Sequence, residues 1–310
     1  MYDSNSKGIS WSAGFFMLIA FAIAGLILGG LISIPIWTAM TGQKFEEFEK
    51  GMTNPAYSTA YQVAQSIASI FGYLVPAIFT AWLLNRKPIK LLGFSPDVKP
   101  SQAGLTVLII FVSLFVSTSL AYFNQAIPVP ADWKTYFDKL ENNYQQQVEA
   151  IVSLKNTSDY IIALVVMAFL PAVCEETLFR GGLQNFLTRS TKNYWLSIII
   201  VSLIFSAAHF SYYGFLSRFF LGVVLGLIFQ YSGKLWLSIL AHFLNNALAL
   251  TVMYFYMQEG KSITEAAKET NNNWWGVFIL PLLVGLFIYF KKVSASTDSD
   301  TTLHNKPHGI

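Results

Sequence analysis

The chain has 310 residues, 54% of them apolar and only 12% charged, with a mean hydropathy of +0.48, against about 25% charged residues in a soluble globular chain. That composition excludes an ordinary soluble enzyme. The formal net charge of +3 comes with no basic block and no aromatic-basic interleaving, so nothing points to a nucleic-acid partner.

The charges are unevenly spread. Residues 8–43, 51–85, 101–131, 193–217, 235–258 and 270–290 contain no Asp, Glu, Lys or Arg, and a bilayer span needs about 20 apolar residues. These runs do not alternate in polarity, which excludes an outer-membrane barrel. In chain order the sequence predicts spans at roughly 12–37, 57–84, 103–123, 160–187, 194–212, 214–231, 235–257 and 274–290. The expected fold is an all-α polytopic membrane protein, a bundle of about eight transmembrane helices.

The first run is longer than the apolar core of a signal peptide and lacks an obvious small-residue cleavage site, so it reads as a retained helix. The predicted organisation is three N-terminal transmembrane helices with a polar extramembrane segment near 124–159 (1–159), then a core over 160–257. A last transmembrane helix with its preceding loop (258–292) and a disordered tail (293–310) follow. Within the polar segment, Asp132–Glu149 is rich in helix formers and predicts a surface helix, either a loop cap or a lid over a site. His304 and His308 lie four apart in the tail, without an ordered scaffold for a metal. No internal repeat is visible, which argues against a transporter built from two related halves.

Placing the N-terminus in the cytoplasm assigns 11 Lys/Arg and 4 acids to the inner loops and 8 Lys/Arg and 11 acids, Arg218 among the former, to the outer ones. The pairs Arg86-Lys87 and Lys291-Lys292, each just past a span, strengthen this orientation, with both termini cytoplasmic.

Glu175, Glu176 and Arg180 remain inside the fourth span, where an ionisable group costs about 2.5 to 3.5 kcal/mol on insertion scales. On a helix Glu176 and Arg180 share a face, whereas Glu175 is rotated about 100° away. One carboxylate is therefore neutralised locally and the other is not. The trio reads either as a buried ion cluster or as a pair supporting an unneutralised base. Cys174, the single cysteine, reads as inert packing and makes no internal disulfide.

His209 follows Phe205 by one turn, and His242 precedes Asn246 by one turn; Asn245 sits off that face. Each motif alone is compatible with interhelical hydrogen bonding. Together, a carboxylate, two imidazoles and an amide on three helices can activate water and stabilise an oxyanion.

These motifs resemble those of the CAAX protease and bacteriocin-processing (CPBP) family of intramembrane endopeptidases, which includes the eukaryotic type II CAAX prenyl endopeptidase. The family pattern EExxxR, FxxxH and HxxxN stands here as Glu175-Glu176-Thr177-Leu178-Phe179-Arg180, Phe205 to His209, and His242 to Asn246. The resemblance implies that Glu175 activates water with His209, that His242 and Asn246 stabilise the oxyanion, and that Glu176 and Arg180 support Glu175. It implies a membrane-associated peptide or protein substrate, lipidated in the eukaryotic relatives, and no metal or other cofactor. A Glu-His-His set is still compatible with zinc, although no HExxH helix is present. The alternative from the same family is a non-catalytic membrane scaffold or bacteriocin self-immunity factor.

One geometric difficulty follows from the spans. Straight perpendicular helices do not bring Glu175, His209 and His242 to one depth. Tilt, a kink at Pro171, or breaks at Gly181-Gly182 and Gly214 are the available remedies.

Overall fold

The computed structural model describes residues 4–152, 154, 156–261 and 274–295. Nine helices organise them: α1 Trp11–Thr41, α2 Pro55–Leu84, α3 Pro100–Ala126, α4 Ala131–Ile151, α5 Thr157–Thr191, α6 Tyr194–Ala207, α7 Phe215–Ser232, α8 Leu235–Gln258 and α9 Trp274–Ala295. No strand occurs among the described residues. All but α4 and α6 are long and apolar enough to cross a membrane. The fold is an all-α polytopic membrane protein.

Local signals explain the helix ends. The Ser10 side chain caps α1 by accepting from the Ala13 amide, and α1 stops where Gly42 adopts φ 70°. Asn156 accepts from the Asp159 amide at the start of α5, and Asn193 accepts from the Leu196 amide at the start of α6.

The fifth predicted span is shorter than expected. Its helix, α6, has 14 residues, about 21 Å of rise against a hydrocarbon thickness of about 30 Å. Phe210 takes φ 51°, a conformation a helix does not continue through. The Ser206 hydroxyl meanwhile reaches forward to the Phe215 carbonyl at 2.7 Å. The chain thus reverses over 208–214 directly after the expected site residue His209.

The apolar interior has two main parts. Leu18, Ala77, Ala81, Leu84, Phe179 and Phe205 pack α1, α2, α5 and α6 together. Ile109, Val116, Leu225, Leu237, Phe287 and Phe290 join α3, α7, α8 and α9. Exposed apolar side chains such as Phe16, Ile27, Leu31, Leu282 and Ile288 form the outer surface, as expected for residues facing lipid rather than water.

The depth problem is solved without breaking α5. The helix is continuous but contains two π-helical turns, Leu164–Phe169 and Thr177–Gln184. The first immediately precedes Pro171, whose missing amide favours a widened turn. Gly181 and Gly182, expected as a break, serve close packing instead. A Cβ on Gly181 would lie 2.8 Å from the Leu92 carbonyl oxygen. The tail expected from 293 contributes residues 293–295 to the end of α9; the remainder, with His304 and His308, lies outside the described residues.

Candidate active site

A short α-helical stretch, Leu170–Glu176, stands between the two π-helical turns and presents both glutamates inward. Glu176 is fully buried, while the Glu175 side chain keeps 16% exposure. Their difference follows from the rotation of about 100° between consecutive helical residues.

Glu176 Oε1 is the hub of the site. It accepts a hydrogen bond from Arg180 Nη1 at 2.7 Å and lies 2.8 Å from His242 Nδ1. The arginine pair is the i,i+4 contact expected from sequence. The histidine contact joins α5 to α8 and was not expected. Because Arg180 supplies the balancing charge, the carboxylate accepts and His242 Nδ1 donates.

Arg180 is fully buried and fixed from three sides. Nη2 donates to the Gly222 carbonyl on α7 at 3.2 Å, and the guanidinium sits 4.6 Å above the Phe205 ring. Gly222 permits the close approach of α6 and α7, since a Cβ there would lie 2.9 Å from the Ser202 Cβ. Such an ion pair does little for stability in itself but is costly to break.

Glu175 lies against the other nitrogen of the same imidazole. His242 Nε2 is 4.0 Å from Glu175 Oε2, and this oxygen is buried without a hydrogen-bond partner among the described residues. His242 thus stands between the two glutamates, bonded to one and facing the other.

Phe205 connects the remaining groups. Its ring centroid is 5.0 Å from that of His209, 5.8 Å from His242 and 5.2 Å from Phe179. His209, just past the end of α6, is held by its Nδ1 at 2.8 Å from the Phe205 carbonyl oxygen. Both imidazoles therefore flank one phenyl ring, and His242 rather than His209 is the imidazole beside Glu175. Asn246 follows His242 by one turn of α8, and its Oδ1 accepts from the Asn245 amide at 3.2 Å. Cys174 is buried beside Glu175. Among the described residues no group of three or more His, Cys, Asp and Glu side chains is arranged to hold a metal ion.

The turn after His209 is clamped by α4, the surface helix of the polar segment. Tyr213 donates its hydroxyl to Asp138 at 2.5 Å and Ser211 donates to Glu141 at 2.7 Å. Phe137 and Tyr212 stack with centroids 4.4 Å apart. From α3, Asn124 donates to the Tyr212 carbonyl at 2.9 Å and accepts from the Leu216 amide at 3.0 Å. Hydrogen bonds from Lys134 and Tyr213 hold Asp138 below the usual carboxylate range, and donation to Asp138 raises Tyr213 to about 12. No sequence signal had joined α4 to the His209 turn, because these contacts link residues about 70 positions apart.

Comparison with known proteins covers the same part of the chain. Residues 157–248 match the family described as Type II CAAX prenyl endopeptidase Rce1-like. The Rce1-like segment runs from the start of α5 into α8, so it contains both glutamates, Arg180, both histidines and Asn246. A 24.3 kDa protein of Escherichia coli, described as uncharacterized, is 36% identical over 100 residues, which are 31% of this chain and 46% of that protein. The chain thus spans about half the length of that curated relative. No solved structure matches it. The Rce1-like match supports a protease, and with the seven long apolar helices it supports an integral membrane protein.

Proposed function

We propose that the protein is an intramembrane endopeptidase that uses a glutamate to activate water. The observation that carries this reading is the asymmetric pair of carboxylates around His242. Glu176 is committed through Oε1 to Arg180 and His242, whereas Glu175 makes no hydrogen bond among the described residues and faces His242 Nε2; Oε2 of each carboxylate is buried without a partner there.

A separation of 4.0 Å is too long for a direct hydrogen bond and is the kind of gap that a water bridges. In the proposed reaction Glu175 takes a proton from water as its oxygen attacks the scissile carbonyl, and the same proton passes to the leaving amine when the C–N bond breaks. His209 orients the water through Nε2, its Nδ1 being held by the Phe205 carbonyl. His242 and Asn246 stabilise the tetrahedral oxyanion. Because His242 Nδ1 already donates to Glu176, donation from Nε2 requires the doubly protonated ring. Glu176 and Arg180 act as positioning residues through His242 and through the packing of α5.

The proposed chemistry requires no metal, and the proposed substrate is a membrane-associated peptide or protein, lipidated as the family's name implies. The proposed topology keeps both termini in the cytoplasm. The test is cleavage of an S-farnesylated peptide ending in a CAAX sequence by purified protein in detergent. Glu175→Gln, which preserves shape but removes the base, is expected to abolish cleavage; undiminished cleavage overturns the assignment. Activity lost on extensive chelation and restored by zinc overturns the metal-free chemistry. Complementation of a deletion phenotype by Glu175→Gln and by His242→Ala would instead establish the scaffold role.

A further inference from the structure

Beside the turn that carries His209 lies a polar cavity of about 700 Å³, walled by α4, the end of α3 and residues 211–218. Two basic side chains, Lys134 and Arg218, and two acidic ones, Asp138 and Glu141, line it. Three of these four are engaged within the wall. Lys134 pairs with Asp138 at 2.6 Å, Asp138 also accepts from Tyr213, and Glu141 accepts from Ser211.

Arg218 is different. Its guanidinium lies over the Tyr144 ring at 5.4 Å, and it makes no ion pair among the described residues. Its Nη1 is buried without a hydrogen-bond partner among the described residues. A buried charged donor left unsatisfied is costly, and an incoming acceptor recovers that cost. Gly214 makes room for the group, since a Cβ there would lie 2.3 Å from Nη1.

The cavity is also at the right place. Arg218 precedes Gly222 by one turn of α7, and the Gly222 carbonyl holds Arg180. Arg218 is therefore about 6 Å along the helix from the backbone that anchors the buried ion pair. Ser211, in the same 211–218 wall, is two residues from His209.

We propose that this cavity is a substrate subsite in which Arg218 binds a carboxylate near the scissile peptide bond. The inference rests on the proteolytic reading. A planar guanidinium matches a carboxylate through two parallel hydrogen bonds. Because Lys134 is paired with Asp138, Arg218 is the lining cation left to meet an incoming carboxylate. The carboxylate comes either from the substrate's C-terminus or from an acidic side chain.

The test measures binding rather than cleavage, with Glu175→Gln protein in detergent and fluorescent S-farnesylated CAAX peptides. Three forms are compared: the free acid, the C-terminal amide, and an amide ending in glutamate. The free acid is expected to bind about tenfold tighter than the plain amide. Adding Arg218→Gln is expected to erase that preference while leaving affinity for the plain amide unchanged, which also controls for folding. Gly214→Ala, which displaces the guanidinium but keeps its charge, is expected to weaken the preference. Tight binding of the glutamate-ending amide alone assigns the side-chain source. Equal affinity for all three peptides, binding of none, or a preference that survives Arg218→Gln overturns the proposal. Retained cleavage by Glu175→Gln is a separate result that bears on the catalytic assignment alone.

Discussion

His242 donates Nδ1 to Glu176 at 2.8 Å and turns Nε2 toward Glu175 at 4.0 Å, so one imidazole is bonded to one of two adjacent carboxylates and faces the other. The two glutamates are consequently expected to respond oppositely to the same substitution. Glu176→Gln leaves the Arg180 guanidinium buried without its counter-charge and is expected to cost about 3 to 5 kcal/mol. Glu175→Gln removes a carboxylate whose buried oxygen has no partner, so its stability is expected to remain within about 0.5 kcal/mol or to rise, while activity is lost. Thermal unfolding in detergent beside a cleavage assay separates the two; equal destabilisation would contradict the division of roles.

Phe205 contacts Phe179, Arg180, His209 and His242 at once. Phe205→Ala is expected to destabilise by about 3 to 5 kcal/mol and to reduce kcat, because both imidazoles lose a common surface. Phe205→Leu is expected to recover most of the stability but not the rate. Measuring unfolding and kcat on the same preparations checks this; equal recovery of both makes Phe205 a packing residue only.

Gly222→Ala places a Cβ 2.9 Å from the Ser202 Cβ and is expected to cost about 1 to 3 kcal/mol by forcing α6 and α7 apart. Ser202→Gly in the same protein is expected to restore part of that loss. A double-mutant cycle measures the coupling, and strict additivity would show that the contact does not limit the approach.

The α4 clamp is expected to depend on pH at both extremes. Asp138 is held below its ordinary value, so its contribution is present above the unfolded carboxylate pKa of about 4 and is lost as pH falls through its lower folded value. Tyr213 is raised to about 12, so its contribution is complete below the ordinary value of about 10 and is lost as pH rises through about 12. Hydrogen exchange across 131–151, corrected for intrinsic rates, is expected to show protection that is flat between these limits. Asp138→Asn is expected to remove the acid limb; an unchanged acid limb would place its origin elsewhere.

The transmembrane architecture was legible because six charge-free runs exceed a bilayer's thickness, and the Glu176–Arg180 pair was legible because it is local to one helix. The end of α6 was not: 193–217 contains no charge, so hydropathy continues through a turn set by the positive φ of Phe210. The start of α7 was legible to within one residue at Gly214, but Arg218 was grouped with loop charges although it lies inside that helix. The His242–Glu176 bond and the α4 clamp arise from tertiary packing between distant segments, which periodicity does not encode. The resemblance pairs Glu175 with His209, whereas the shorter distance to Glu175 belongs to His242.

The two π-helical turns of α5 give its reading frame an unusual tolerance. Each such turn behaves as one residue inserted into an α-helix and absorbs the rotation of about 100° that the extra residue would otherwise add. Removing one residue from Leu164–Phe169 is therefore expected to restore regular winding while leaving Ile161 and Ile162 on the outer surface, whereas removing one from the regular turn Leu170–Cys174 carries them to the other side. The two single-codon deletions thus separate span formation from lipid-facing register, two properties that substitutions alone leave coupled.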